Sequence, residues 1–149
     1  MKKITIISIL FLILFAMSCG DSSCEKECSS TTTTSPLNPN GDSELALMMR
    51  EMFDEGMRMK GQIQKGEQPE VFKQFEEIHS VSATEPEKQA SPEFKAFARA
   101  YHQSLESLKS ATAEDAKPLY NNMVDACMTC HRSMCPGPMV KIKKLYIRD

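Results

Sequence analysis

The pentapeptide Cys127-Met128-Thr129-Cys130-His131 places two thiols and an imidazole within five positions of the chain. A C-x-x-C-H sequence is the attachment signature of c-type haem. On a helix the two thiols lie close enough to add to the two vinyl groups of haem as thioethers, and the histidine that follows is placed to ligate the iron. The pattern predicts covalent haem c, one per chain, held by Cys127 and Cys130 with His131 as the proximal iron ligand.

Three other interpretations of these cysteines stay open. The pair can form a structural disulfide or a redox-active dithiol, although a redox pair usually begins a helix that follows a strand. A structural zinc ion is the third, and it would use four ligands: Cys127, Cys130, His131 and Cys135. All four would come from one helix and its end, which makes a tetrahedral arrangement cramped. The spacing therefore favours haem c.

The N-terminus has the pattern of an export signal. Two lysines precede an apolar run over residues 4–17, which is shorter than the about 20 residues that a membrane-spanning helix needs. The run ends in Ala16-Met17-Ser18-Cys19, which resembles the lipobox of bacterial lipoproteins. The resemblance implies a signal peptide over residues 1–18, lipidation at Cys19 and a lipid-anchored, periplasm-facing protein in the cell envelope of a Gram-negative-type bacterium. A cleaved, soluble exported chain is the alternative.

Residues 19–42 are rich in serine and threonine and have no apolar periodicity. This composition predicts a solvated tether that holds a domain away from the membrane. An oxidising periplasm permits disulfides. Cys24, Cys28 and Cys135 remain after the lipid and haem assignments, and because three is odd, the sequence does not fix how they pair.

Residues 43–135 contain four amphipathic helical patterns, and no segment alternates as a strand would. Four such helices with short connections predict an all-α domain, an antiparallel four-helix bundle with C-x-x-C-H on the last helix. The first helix is expected to end near Gly66, where glycine suits the residue after a helix. The predicted starts are Ser43, Pro69, Ser91 and the residues just after Thr112.

A helical bundle that carries C-x-x-C-H on its last helix resembles the cytochrome c′ and cytochrome c-556 family. The resemblance covers about residues 43–135 and includes the Lys65-Gly66-Glu67 end of the first helix. It implies that Cys127 and Cys130 are the thioether cysteines and His131 the proximal ligand, and that the first helix faces the distal side of the haem. Relatives in this family are often dimers, so a homodimer stays open.

The sixth iron ligand separates two functions within this family. Its c-556-like members place a methionine at the sixth position and resemble electron carriers. Its c′-like members leave this position open and bind NO and CO. A thioether is a soft iron ligand that raises the reduction potential, and the predicted first helix has five methionines. We expect Met49 to be the distal ligand, with Met52 as the alternative, because both lie on the predicted inner face at about the depth where the resemblance places the family's ligand. His79 and His102 are the candidates for a rival bis-histidine site, and Arg132 is the candidate for the basic residue that often flanks the haem.

The last segment, residues 136–149, is a basic tail. Its basic residues alternate with apolar ones: Lys141, Lys143, Lys144 and Arg148 with Val140, Ile142, Leu145 and Ile147. Such a segment can dock an acidic redox partner or anionic lipid head groups. The interpretation we favour is a short segment that packs its apolar side on the bundle.

Together these patterns predict a periplasmic monohaem c-type cytochrome that carries single electrons, with an unidentified redox protein as partner. It is not expected to be an enzyme, since no acid, base or nucleophile constellation is present. The alternatives are a five-coordinate haem protein that binds small gases and a non-haem structural or zinc-binding lipoprotein. The net charge of −2 excludes a strongly basic nucleic-acid binder.

Overall fold

The computed structural model describes residues 41–148. The predicted signal peptide, the lipidation residue Cys19, and Cys24 and Cys28 lie outside the described residues. Within residues 41–148 the regular structure is helical and there is no strand, which confirms the all-α class. None of the helices in this range is both long enough and apolar enough to cross a bilayer.

Three long helices dominate the described part of the chain, and the C-x-x-C-H motif lies on the third of them. A one-turn helix follows that third helix, so the motif is on the last long helix and not on the last helix. In chain order the elements are α1 (Glu44–Gln64), a 3-10 helix (Glu76–His79), α2 (Pro86–Ala90), α3 (Pro92–Lys109), α4 (Ala116–Met134) and α5 (Met139–Ile142).

The helix ends follow the capping signals in the sequence. Ser43 caps α1 because its hydroxyl oxygen accepts a hydrogen bond from the Ala46 N–H at 3.2 Å. Ser91 caps α3 in the same way, accepting from the Phe94 N–H at 3.1 Å. Gly66 has a φ of 77°, the left-handed conformation that closes α1. These three predicted ends are confirmed.

The prediction of a second long helix that starts at Pro69 is wrong. Side chains of α1 bind the backbone of this segment and leave no helical ladder there. The Glu70 N–H donates to Gln62 Oε1 at 3.1 Å, and the Phe72 N–H donates to Glu55 Oε1 at 3.2 Å. The segment therefore runs beside α1 in an irregular conformation until the 3-10 helix begins.

The spacing of the apolar residues Phe72, Phe75 and Ile78 explains why this segment resembled a helix in the sequence. Phe75 and Ile78 are buried, as the apolar spacing implied, but Phe72 is 67% exposed. Phe75 also has a φ of 53°, a left-handed conformation that is incompatible with a continuous right-handed helix. Burial of Phe75 and Ile78 is thus achieved without a long α-helix.

The core divides into two apolar clusters. The larger one, here the closed cluster, joins mainly the C-terminal halves of α1 and α3, the N-terminal half of α4 and the buried residues of the tail. Its most buried side chains, each 2% exposed or less, include Met59, Leu105, Leu108, Tyr120 and Val124. The smaller one, here the open cluster, joins the opposite halves of these helices. It consists of Ile78, Phe94 and Ala98, with Leu45, Met48, Met49, Met52 and Met134 packed against them.

The backbone of α1 approaches α4 and the C-terminal tail closely at Gly56. The Tyr120 hydroxyl donates to the Gly56 carbonyl at 2.9 Å, in a fully buried position. A methyl group at Gly56 would lie 3.1 Å from the Leu145 side chain. Glycine therefore allows this contact.

The basic tail packs its apolar side on the helices, as predicted. Ile142, Leu145 and Ile147 are buried, whereas Val140 is 75% exposed. The four basic side chains of the tail are all exposed. The alternation in the sequence thus separates an inner apolar face from an outer charged face.

Candidate functional site

The helical spacing of α4 brings Cys127, Cys130 and His131 to one face, since residues three and four apart are neighbours on a helix. This face lines a small apolar cavity of about 40 Å³, and Met49 and Met52 of α1 line the same cavity. The remaining wall residues are Ile78, Phe94, Phe97, Ala98, Tyr101 and Ala126. The structure therefore brings all five predicted haem-site residues of the described chain together around one space.

A much wider cleft of about 940 Å³ lies beside this cavity. Four side chains line both spaces, and the cleft and the cavity meet at them: Met49, Phe94, Cys130 and His131. Cofactor sites in proteins usually occupy roughly 300–1,000 Å³. The cleft thus has the size of a site for a large organic cofactor.

The five methionines of α1 occupy different environments. Met49 and Met52 line the small cavity, and of these two only Met49 also lines the cleft. Met59 is 1% exposed inside the closed cluster, and Met57 is 41% exposed. Met48 packs against the open cluster but lines neither space. A thioether from α1 can therefore reach the site from Met49 or Met52.

The imidazole of His131 is buried and held from one side. Its Nδ1 lies 3.1 Å from the carbonyl oxygen of Cys135 and 3.3 Å from the Sγ of the same residue. A hydrogen bond from Nδ1–H to the carbonyl leaves Nε2 with a free lone pair, as a metal-ligating histidine requires. Burial lowers the pKa of His131, which favours the same neutral imidazole.

The thiols of the motif are in apolar surroundings. Burial, with a smaller contribution from the neighbouring thiols, raises the pKa of Cys127 to about 12 and that of Cys130 to about 11. Redox-active dithiols have lowered pKa values, so these surroundings differ from those of a thioredoxin-like pair. Cys127, Cys130 and Cys135 are free thiols in the structure.

The zinc and bis-histidine alternatives have no preassembled site in the described residues. Between residues 41 and 148, no three His, Cys, Asp or Glu side chains are grouped as a metal ion requires. His79 and His102 lie beside each other, with ring centroids 6.2 Å apart. Neither of them lines the cavity or the cleft.

Three basic residues line the wall of the cleft: Arg50, Lys88 and Lys141. Arg50 and Lys88 are not among the predicted site residues, and Lys141 was predicted only as part of the basic tail. Arg132, the residue that was expected near the cofactor, is exposed and lines neither space. Arg50 directly follows Met49, and this adjacency to a predicted ligand was the one indication in the sequence that Arg50 lies near the site. Its Nη2 donates to Asp42 Oδ1 at 2.7 Å.

Comparison of the chain with protein-family models, with curated proteins and with solved structures gave no match.

Proposed function

We propose that this chain is a monohaem c-type cytochrome that carries single electrons. The observation that carries the proposal is the meeting of Cys127, Cys130, His131 and a first-helix methionine around one cavity, at the point where it joins a cofactor-sized cleft. The methionine and the motif lie 75 or more positions apart in the sequence, so the motif alone does not account for their meeting.

The chemistry of these residues fits haem c. Two neutral thiols three positions apart are the groups that add to vinyl side chains, with the thiol hydrogen passing to a vinyl carbon and no oxidant needed. The largely apolar wall of the small cavity, with Phe94, Phe97 and Ala98, suits the face of a porphyrin. Arg50, Lys88 and Lys141 on the cleft wall suit the two propionate carboxylates.

Each of the two iron ligands would have a candidate residue. Nε2 of His131 would be the proximal donor, because the Cys135 carbonyl holds Nδ1 and so fixes the ring. Met49 would be the distal donor, because it lines both the cavity and the cleft, and Met52 is the alternative. Haem c supplies an iron that cycles between its ferric and ferrous states and so passes one electron. The apolar wall would limit the contact of the iron with water, and the identity of its two protein ligands would set the reduction potential.

We also propose that the domain is a variant of the cytochrome c′ and cytochrome c-556 bundle. Its support is the position of α1 opposite the motif of α4, across the cavity. In this variant the irregular segment before the 3-10 helix takes the place of the second bundle helix. The protein would be an electron carrier without enzymatic activity, anchored through Cys19 in the cell envelope and facing the periplasm.

Covalent haem attachment is the decisive test of this proposal. The chain would be produced with a c-haem attachment system and examined on a denaturing gel by haem-dependent peroxidase staining. The double variant Cys127→Ala/Cys130→Ala should lose the stain. Cys135→Ala, which removes a thiol of the cleft outside the C-x-x-C pair, should keep it. An unstained wild-type chain would exclude haem c and return the zinc and disulfide interpretations.

The distal ligand is tested by spectra of the oxidised, reduced and CO-treated protein. Six-coordinate iron gives a low-spin spectrum that CO does not change. Met49→Ala should open the site, produce a high-spin spectrum and allow CO to bind, whereas Met48→Ala is the matched control. A wild-type protein that already binds CO, with no spectral change in Met49→Ala or Met52→Ala, would replace electron transfer by gas binding.

The lipid anchor has its own test. Cys19→Ser should release the haem-containing chain from the membrane fraction into the periplasmic fraction, because the thiol is the site of lipidation. A chain that remains in the membrane fraction after this change would contradict the lipoprotein assignment.

A further inference from the structure

The tail presents a compact group of positive charges. Lys141, Lys143, Lys144 and Arg148 are exposed and lie within eight consecutive residues; these four side chains are called the tail patch below. The tail has only one acidic residue, Asp149, although the whole chain carries a net charge of −2. The patch therefore concentrates positive charge on a chain that is acidic elsewhere.

The segment that carries the tail patch is fixed to the helices. Lys60 Nζ donates to the carbonyl oxygens of Lys144 and Tyr146, both at 2.8 Å. The side-chain amide of Asn121 donates to the Ile147 carbonyl and accepts from the Ile147 N–H, both at 3.0 Å. A surface held in this way loses little conformational freedom when a partner binds.

The tail patch begins at the wall of the cleft. Lys141 and Ile142 line the cleft, and the Lys141 ammonium lies 4.4 Å from the centre of the Phe53 ring, which lines it too. A protein that docks on the patch would thus stand beside the proposed haem site. An electron-transfer partner needs a short distance between its own redox centre and the cofactor.

We infer that the tail patch is the docking surface for the acidic face of a redox protein, and this inference rests on the proposed electron-transfer function. Opposite charge steers such a partner to the patch and orients it at the cleft. One electron passes between the haem iron and the partner's redox centre, so one is oxidised as the other is reduced. No bond is made and no proton moves.

An anionic membrane is the other class of partner that a basic segment attracts, and the structure disfavours it. Membrane-surface helices turn their apolar face to the lipid, whereas Ile142, Leu145 and Ile147 are buried against this protein's own helices. Val140 is left as an exposed apolar residue of the tail, and α5 has only four residues.

The test compares two double variants with the same loss of charge. Lys143→Gln/Lys144→Gln alters the patch without touching the cleft wall. Lys65→Gln/Lys109→Gln is the control, because these exposed lysines lie at the far ends of α1 and α3, roughly 22–24 Å along the helices from Met49 and Phe94. Both are made in the full, haem-loaded chain, and the haem spectrum is recorded first.

The measured quantity is the rate at which the reduced protein is oxidised by hexacyanoferrate(III), an anion, and by tris(phenanthroline)cobalt(III), a cation. At low ionic strength the patch variant should react with the anion about three- to tenfold more slowly than wild type, and this difference should vanish in high salt. The control should stay within about twofold of wild type, and the cation should not be slowed. Equal rates in the two variants would overturn the inference while leaving the haem proposal intact. Absence of haem would overturn both.

The membrane alternative has a separate measurement. The full chain is reconstituted in vesicles of phosphatidylcholine, with or without one quarter phosphatidylglycerol, and its lysines are acetylated and counted by mass spectrometry. The inference requires Lys143 and Lys144 to be acetylated equally in both vesicles. Protection of these two lysines by phosphatidylglycerol, with no protection of Lys65 and Lys109, would assign the patch to lipid and overturn the inference.

Discussion

The closed and open clusters are built from the same three long helices and yet are packed in opposite ways. In the closed cluster Leu108, Tyr120 and Val124 are fully buried, and a tyrosine hydroxyl is satisfied by the Gly56 carbonyl. In the open cluster, by contrast, Met49 and Met52 border the cavity, and Met49 also borders the cleft. One half of the helical framework is filled by its own side chains, and the other half leaves space.

The difference shows how this fold divides its tasks. A tightly packed half supplies the free energy of folding, because buried apolar side chains without cavities stabilise most. The looser half, rich in adaptable methionines, supplies room and ligands for a cofactor. Substitutions in the two halves should therefore separate stability from cofactor chemistry.

The largest effect on stability is expected from Leu108→Ala, in the closed cluster. Leu108 is completely buried, and its truncation leaves a cavity that costs about 2–5 kcal/mol of the free energy of unfolding. Urea denaturation followed by circular dichroism measures this loss. A loss below about 1 kcal/mol would mean that the closed cluster is not the stabilising half.

A smaller loss is expected from Tyr120→Phe, which removes the buried hydrogen bond from the Tyr120 hydroxyl to the Gly56 carbonyl. This carbonyl lies in the middle of α1 and keeps its helical partner, so the loss is that of one hydrogen bond, about 0.5–1.5 kcal/mol. The same urea experiment measures the change, and the haem spectrum should stay as in wild type. A spectral change with unaltered stability would contradict the division between the two clusters.

The third prediction concerns Glu55, which fixes the irregular segment to α1. Its carboxylate accepts two hydrogen bonds from Arg58, at 2.7 and 2.9 Å, and one from the Phe72 N–H. The Arg58 guanidinium holds the pKa of Glu55 below its usual 4.5. Because the folded-state pKa is depressed, the stabilisation is fully present above pH 4.5 and is lost as the pH falls through the lowered pKa.

Glu55→Gln should accordingly lower the free energy of unfolding by about 1 kcal/mol at pH 7 and flatten its decline in acid. Thermal unfolding between pH 3 and pH 7 measures both effects, and Glu67→Gln, exposed just beyond α1, is the control. An acid profile identical to that of wild type would show that Glu55 does not hold the segment.

The smallest change in stability is expected from Met49→Ala, in the open cluster. Met49 is half-buried and already borders the cavity and the cleft, so its truncation should cost less than about 1 kcal/mol in the haem-free chain. The same change should alter the spectrum of the haem-loaded chain most. A loss as large as that of Leu108→Ala would remove the contrast between the clusters.

The sequence was sufficient for those features that local chemistry determines. Ser43 and Ser91 cap their helices through their own hydroxyls, and Gly66 adopts the left-handed conformation that only glycine adopts easily. The spacing of Cys127, Cys130 and His131 places them on one helical face. These features depend on residues within about four positions of each other, so they can be deduced without knowing the fold.

Features that depend on distant residues could not be deduced. The irregular segment exists because Glu55 and Gln62 of α1 bind its backbone, and the apolar spacing gave no sign of that. Lys88 and Lys141 reach the cleft wall only because their short segments are placed there by tertiary packing. The meeting of Met49 with the C-x-x-C-H face was expected from a family resemblance, and the residues alone did not imply it.

The acceptor that orients His131 is the main-chain carbonyl of Cys135, the residue directly after α4. A point substitution of Cys135 changes the side chain and leaves that oxygen in place. Pro136 follows directly and has no N–H to continue the helix. Most substitutions of Cys135 should therefore leave the orientation of the His131 imidazole unchanged. To rotate the ring, one would have to move the end of the helix, by replacing Pro136 or by inserting a residue after His131.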